Sequence, residues 1–297
     1  MKQLAESPLR IPRPRVVFVD LDGTLLGAGG SLFVMPDGRR SLDAARAVVD
    51  VLEAGIDLVP TSGRSRRGML EPVRLLGARS YIAELGAVIV EQVLPEEIAI
   101  PNYGQASGMA SPYLEMARSG AGAYLMDRFR GHLEPHTPWT RYRRDATMLF
   151  RGFLDAAEAT AALADAGYRW LRLHDNGWLR RASPTLAAER LRAYHLTPRG
   201  VDKGSAAAVY LRRRGIPPSR AVAIGDSPAD LGIAPEVAAV LIVANGADAI
   251  GDEAARVENA RRTTAGFGEG FAEAVAALLA TEPEPSPPPA PRTGDEV

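Results

Sequence analysis

The stretch Val16-Val17-Phe18-Val19-Asp20-Leu21-Asp22-Gly23-Thr24 decides how the rest of the chain is read. Its four leading apolar residues, mostly β-branched, are of the kind found in strands buried on both faces. The run stops at two carboxylates, which seldom border a core without a partner. Strand parity puts Asp20 and Asp22 on one side, roughly 6–7 Å apart if extended geometry continues. Such a pair can divide the work of nucleophile and acid/base, or hold a hard cation. It also fits a plain Asp-Gly turn after a strand, so the remaining sequence has to decide.

With 297 residues the chain suits one large or two ordinary domains. A hydrophobic content of 46% and a charged content of 24% are those of a soluble globular protein. The net charge of −1 gives no case for a nucleic-acid or membrane-surface partner. The absence of cysteine excludes disulfides, thiolate catalysis and Cys-based metal sites. Met1 to Arg15 lacks the apolar centre of a signal peptide, and no apolar run approaches about 18 residues. The expectation is a soluble cytoplasmic protein. Only two residues, Lys2 and Lys203, are lysine, against 33 arginines. A compact ammonium and a wide guanidinium do not substitute for one another at a tight site, so Lys203 asks for a local reason.

Residues 1–14 read as a flexible lead-in. After the first strand, Ser41 caps an amphipathic helix that Gly55 stops, and Ile56–Val59 forms a second apolar run ending at Pro60-Thr61-Ser62-Gly63-Arg64. A helix over 66–76 and a short strand at 81–83 complete a βαβ pattern of parallel-sheet type. The middle of the chain changes character. Strands at 147–151 and 192–196 flank a helix at 155–166, and Asp175-Asn176-Gly177 between two apolar runs predicts a β-hairpin. This reads as an antiparallel α+β module inserted into the parallel domain. The α/β pattern then resumes with a helix at 205–214, buried strands at 221–224 and 241–243, and a helix at 271–279. The Pro/Glu/Ser-rich residues 281–297 read as a disordered tail.

Three strand ends present polar groups of one kind: Asp20 and Asp22; Thr61, Ser62 and the Gly63 amide; Asp226 and Asp230. In open parallel sheets ligands bind beyond the carboxyl ends of strands, so these groups should converge, with Lys203 at the start of the helix before the late strand. Four carboxylates without Cys or clustered His favour an oxygen-loving cation such as Mg²⁺. A hydroxyl, a glycine amide and a lone ammonium suit a phosphoryl group. An aspartate can attack phosphorus, and a second one can serve the leaving oxygen and then water.

Asp20-Leu21-Asp22-Gly23-Thr24, Ser62 before Gly63-Arg64, Lys203-Gly204 and Gly225-Asp226-Ser227 with Asp230 resemble, in order, the four motifs of the haloacid dehalogenase superfamily. The resemblance implies a Rossmann-like parallel-sheet core over 15–64 and 197–280, with an inserted α+β cap of the C2 type over 65–196. It implies Asp20 as nucleophile, Asp22 as general acid/base, and Ser62, Gly63 and Lys203 as phosphate-binding groups. Mg²⁺ would be held by Asp20, the Asp22 carbonyl and Asp226, with Asp230 beside them. The long insert after Ser62 is similar to the Cof-like or IIB branch, which includes sucrose-phosphate and mannosyl-3-phosphoglycerate phosphatases. Glu84-Leu85-Gly86-Ala87 resembles the stretch that leads into that branch's insert, with Leu85 where Asn is common; Glu84 and Arg64 are substrate-contact candidates. The implied activity is hydrolysis of a small phosphorylated metabolite, a sugar phosphate or glycosyl-phosphoglycerate. A phosphotransferase or phosphosugar mutase using the same aspartyl-phosphate is the alternative.

Other features carry less. His132 and His136 are four apart with Pro135 between and no third ligand near, so they read as loop histidines. His174 reads as a hairpin residue. Arg141, Arg143 and Arg144 read as a solvated face.

Overall fold

The structure, a computed structural model, describes residues 1–179, 182–186, 188, 190–251 and 256–282. Strand β1 (Lys2–Gln3) is followed by β2 (Val16–Val19), helix α1 (Asp43–Glu53), β3 (Asp57–Pro60) and helix α2 (Arg66–Leu75). Next come β4 (Tyr81–Ala83), β5 (Val88–Gln92) and β6 (Ile98–Pro101), and then helices α3 (Pro112–Ser119) and α4 (Ala121–Arg128). The insert continues with β7 (Leu133–Pro135), β8 (Met148–Gly152), α5 (Ala156–Asp165), β9 (Leu171–Leu179) and β10 (Leu191–Pro198). The chain returns through α6 (Lys203–Arg214), β11 (Ala221–Gly225), α7 (Pro228–Leu231), β12 (Ala239–Ile242), α8 (Ala247–Ile250), β13 (Ala260–Arg262) and α9 (Phe267–Leu279).

The central sheet has the order β1-β13-β12-β11-β2-β3. Every pairing in it is parallel. All four β2 residues are buried, as a strand covered on both faces requires. Val17 and Val19 point into the layer formed with α1 and α9. Val16 and Phe18 point into the layer formed with α6. A fully buried four-residue strand stabilises by roughly 1.5–3 kcal/mol per large side chain, which anchors the site's first strand in the middle of the molecule.

The boundary expected at residue 65 is corrected. Helix α2 and strands β4 and β5 pack in the same core layers as the central sheet. Thr61 also bridges to Ile82 in parallel, which lets β4 continue the sheet beyond β3. The insert therefore begins after β6. Its antiparallel sheet, β7-β8-β10-β9, carries α3, α4 and α5 on one apolar face through Met116, Leu125, Leu163, Phe150, Leu173 and Leu196. The alternate residues His174, Asn176, His195 and Thr197 belong to the other face.

Two further expectations differ. The lead-in is not free throughout: Lys2 and Gln3 pair with Arg261 and Arg262 at the sheet edge, and Leu4 is buried beside them. The Asn-Gly hairpin does not form. β9 runs straight through Asp175, Asn176 and Gly177, and the extra residue is absorbed as a bulge opposite β10 between Arg192 and Tyr194. Gly177 takes φ +90°, and its amide donates to the Asp175 side chain at 2.9 Å. The left-handed conformation that Asn-Gly favours is thus used to kink a strand rather than to reverse it. Of the proline-rich tail, residues 283–297 lie outside the described residues. No helix among the described residues is long and apolar enough to cross a membrane.

Candidate active site

Strand pairing brings the polar ends together. The Asp20 amide donates to the Ile224 carbonyl at 2.9 Å, so β2 stays in register with β11 up to the first acid. The Thr61 amide donates to the Val19 carbonyl at 2.8 Å, which aligns β3 on the other side. Asp20, Ser62 and Asp226 thus leave three adjacent strands at the same edge.

Lys203 is the centre of the cluster. It opens α6, whose first turn is fixed by Asp202: the Asp202 carboxylate accepts the Ser205 amide at 2.7 Å, and Ser205 Oγ accepts the Asp202 amide at 3.2 Å. The ammonium is 1% exposed and donates to Asp20 Oδ1 and to Asp230 Oδ1, each at 2.6 Å. Burial alone would push its pKa down, but the two carboxylates reverse that and hold it above the ordinary lysine value. This is the local reason for one of only two lysines in the chain.

The acids around it repel one another. Burial raises the Asp20 carboxyl well above its usual range; Lys203 opposes the shift, and Asp230 and Asp226 add to it. Burial and then Asp230 push Asp226 up to about 7, against the pull of Lys203 and a hydrogen bond from Thr24. Asp230 is held differently. Its Oδ2 accepts the Asp226 amide at 3.2 Å, the Ser227 amide at 3.0 Å and the Ser227 hydroxyl at 2.5 Å. It folds the 225–230 turn back on itself and orients Lys203, while a Cβ at Gly225 would fall on its carboxylate.

Asp20, Asp226 and Asp230 offer carboxylate oxygens within 4.8 Å of one another, the one such group among the described residues. Crowded carboxylate oxygens, short of positive charge even beside Lys203 and with the proton affinity of Asp20 and Asp226 raised, fit a hard divalent cation such as Mg²⁺. The two loop histidines join no such group; His132 instead packs its ring on Phe153 at 4.6 Å.

Two residues outside the expected set shape this mouth. Thr24 Oγ1 donates to Asp226 Oδ1 at 3.2 Å, and Asn245 Nδ2 donates to the Gly23 carbonyl at 2.9 Å. They tie the turn after Asp22 to the Asp226 strand end. Thr24 lies in the first motif and was open to notice; Asn245 is far away in sequence and gives no local signal.

The second strand end carries Ser62, whose amide donates to the Ile82 carbonyl at 2.9 Å. Gly63 is the point where the insert comes down on the core. Its carbonyl accepts Arg144 Nη2 at 2.5 Å. A Cβ there would stand 2.9 Å from the His195 ring and 3.2 Å from Asn176 Nδ2. Arg144 is thus no solvated side chain: it is 5% exposed and also donates to Thr147 Oγ1 at 2.8 Å. His195 is buried, and burial, followed by the charge of Arg144 and the proximity of His174, His136 and Lys203, pushes its pKa well below the usual value. It is neutral at physiological pH. His174, expected in a hairpin, is its direct cross-strand partner.

Arg64 and Glu84 are both engaged by groups of the protein itself. Arg64 Nε donates to Asp22 Oδ2 at 2.7 Å, and Nη2 donates to Oδ1 at 2.5 Å. Glu84 has no exposed surface. Its carboxylate accepts the amides of Asp145, Ala146 and Thr147 at 2.8, 3.1 and 3.1 Å, and the Thr147 hydroxyl at 2.9 Å. With four donors of the insert on a fully buried carboxylate, it fastens the insert to the core. Glu84 and Leu85 both adopt left-handed backbone, at φ +53° and +56°, a region where Asn is tolerated better than Leu.

Comparison with known proteins agrees with this geometry. Residues 182–264 match the sequence model of the haloacid dehalogenase-like hydrolase family, a span that holds Lys203, Asp226 and Asp230. In fold, motif order and this match the chain is similar to the haloacid dehalogenase-like hydrolases. Its fold, a parallel core with a large α/β insert, is shared with solved structures. It superposes on the sucrose-phosphatase of Synechocystis sp. PCC6803, solved with sucrose and phosphate, with a TM-score of 0.63 and 18% identity over 90% of this chain and 98% of that one. Two curated relatives, both named phosphoglycolate phosphatase, match nearly end to end. That of Methanothrix thermoacetophila is 26% identical over 87% of this chain and 94% of its own length. That of Methanoculleus marisnigri is 25% identical over 88% and 95%.

Proposed function

We propose that the chain is a Mg²⁺-dependent phosphomonoesterase that works through an aspartyl-phosphate on Asp20. The observation that carries this reading is the buried Asp20–Lys203–Asp230 chain of 2.6 Å contacts at the strand ends, with Asp226 beside it and Asp22 two residues on. The Asp20 carboxylate attacks phosphorus, and the ester oxygen leaves with a proton from Asp22. Asp22 then takes a proton from water, whose oxygen attacks the same phosphorus and frees Asp20 and inorganic phosphate. Ser62, the Gly63 amide and Lys203 receive the phosphoryl oxygens. Mg²⁺ held by Asp20, Asp226 and the Asp22 carbonyl, with Asp230 alongside, would offset the phosphoryl charge that otherwise repels an aspartate nucleophile.

The substrate is a small phosphorylated metabolite. The curated relatives share the insert as well as the core, and their names favour a short phosphorylated acid over the sugar phosphate or glycosyl-phosphoglycerate suggested by branch resemblance. His195 and Asn176 standing directly on Gly63 also favour a small leaving group. The test is free phosphate release from phosphoglycolate, sugar phosphates and glycosyl-phosphoglycerates, with and without Mg²⁺. Release from at least one that needs Mg²⁺ and disappears in Asp20→Asn is expected. Turnover by Asp20→Asn at the wild-type rate would end the mechanism. Isomer interconversion with total esterified phosphate conserved would make the chain a mutase.

A further inference from the structure

Asp22 has a proton to move, yet both of its oxygens are occupied by Arg64 in a fork-to-fork pair, at 2.5 and 2.7 Å. The Arg64 backbone cannot follow a motion of Asp22. Its amide donates to Ser62 Oγ at 3.3 Å, and its carbonyl accepts the Glu84 amide at 2.9 Å. Gly30, in the segment between β2 and α1, comes close as well: a Cβ there would stand 3.4 Å from Arg64 Nη2. Asp22 must therefore free at least one oxygen from Arg64 to reach an ester oxygen.

The pair is built to exchange. Its side chains are 29% and 54% exposed, so water and other anions compete for the guanidinium. An Arg fork that loses one carboxylate takes another in the same geometry. Position decides which anion can do this. Asp22 delivers its proton from hydrogen-bond reach of the ester oxygen, and Arg64 now holds Asp22 at hydrogen-bond distance. The guanidinium then stands roughly 6 Å from that oxygen once Asp22 has turned. A carboxylate on the carbon bonded to the ester oxygen spans that gap; one several carbons away does not.

We propose that Arg64 is a positioning residue that holds Asp22 aside until a carboxylate on the leaving group takes its place, so that the chain selects phosphorylated 2-hydroxy acids. The inference rests on the phosphomonoesterase reading. It adds that the second anionic group of the substrate acts on turnover, through Asp22, as well as on binding. A neutral phosphomonoester has to part the pair unaided.

The experiment compares phosphoglycolate with its carboxamide and with p-nitrophenyl phosphate, using the full chain with Mg²⁺. The wild type is expected to favour the acid over the amide at least tenfold in kcat/KM, with part of the preference in kcat. Arg64→Met should reduce that preference to within about threefold. Arg64→Lys keeps the charge without the fork and should recover the KM share and not the kcat share. Thermal melts check that the variants fold, and the wild-type preference stands as a test even where they do not. An acid preference absent from the wild type, retained by Arg64→Met, or confined to KM would overturn the proposal. Failure to release phosphate from any of the three compounds would instead overturn the phosphomonoesterase reading beneath it.

Discussion

Glu84 and Thr147, 63 positions apart, are joined by two hydrogen bonds to one carboxylate oxygen: the Thr147 amide donates at 3.1 Å and its hydroxyl at 2.9 Å. Replacing Glu84 by Ala leaves three amides and a hydroxyl buried without an acceptor, at about 1–3 kcal/mol for each donor that stays unpaired. Partial relaxation still leaves a loss of at least about 3 kcal/mol. Urea unfolding should show it as a lower midpoint; a variant within about 0.5 kcal/mol of wild type would mean that the bonds do not hold in solution.

Lys203 makes the opposite kind of demand, for charge in a fixed small volume. It donates to Asp20 and Asp230 while 1% exposed, so no space exists for a guanidinium. Lys203→Arg should lose activity by a factor of at least about 100, comparable to Lys203→Met, because the wide fork displaces Asp20. Steady-state phosphate release decides it: an arginine variant with a tenth or more of wild-type kcat would show that charge alone is required.

Much of the site was legible because its chemistry is written locally. Asp20 and Asp22 end a buried strand, Asp226 ends another, and a solitary lysine opens a helix. The parts that were not legible depend on partners far along the chain. Arg144 looked like one of three solvated arginines, and nothing near it in sequence points to the Gly63 carbonyl 81 positions away. Asn176-Gly177 carries the signal of a reversal, and only pairing with β10 turns it into a bulge. Helix α2 reads the same whether it covers the parallel sheet or the insert, since an amphipathic stripe does not name the surface it will cover.

One buried and two half-buried histidines give the joint between insert and core a pH dependence. Burial first, then nearby cations, lower His136 and His174 to about 4 and His195 well below its usual value. The unfolded chain binds protons at these sites near pH 6.5 and the folded chain does not. Stability therefore rises with pH up to about 6.5 and is lost as pH falls from there toward 4. His195→Gln removes one such group, so its stability should fall less than that of wild type between pH 7 and pH 5, by up to roughly 2 kcal/mol. Parallel pH slopes in denaturant titrations of the two proteins would show that His195 protonates freely in the folded state.

Gly63 is proposed to bind the phosphoryl group and also stands where the insert presses down, so a single methyl group there separates the two roles. A Cβ would stand 2.9 Å from the His195 ring, closer than real side chains approach, and 3.2 Å from Asn176 Nδ2. His195 cannot give way easily, since it is 2% exposed and braced by its neighbours in β8 and β9. The insert must lift. Gly63→Ala should leave Asp20, Lys203 and Asp230 in place and the core stable. It should also shift the insert away from the strand ends and lower kcat/KM for a small substrate by about tenfold or more, in line with the cost of small misplacements in oriented reactions. A second substitution, His195→Ala, removes the ring that the methyl group meets. If it restores activity to the Gly63→Ala background, the loss came from the lifted insert; if it does not, the methyl group acts on the phosphate loop itself.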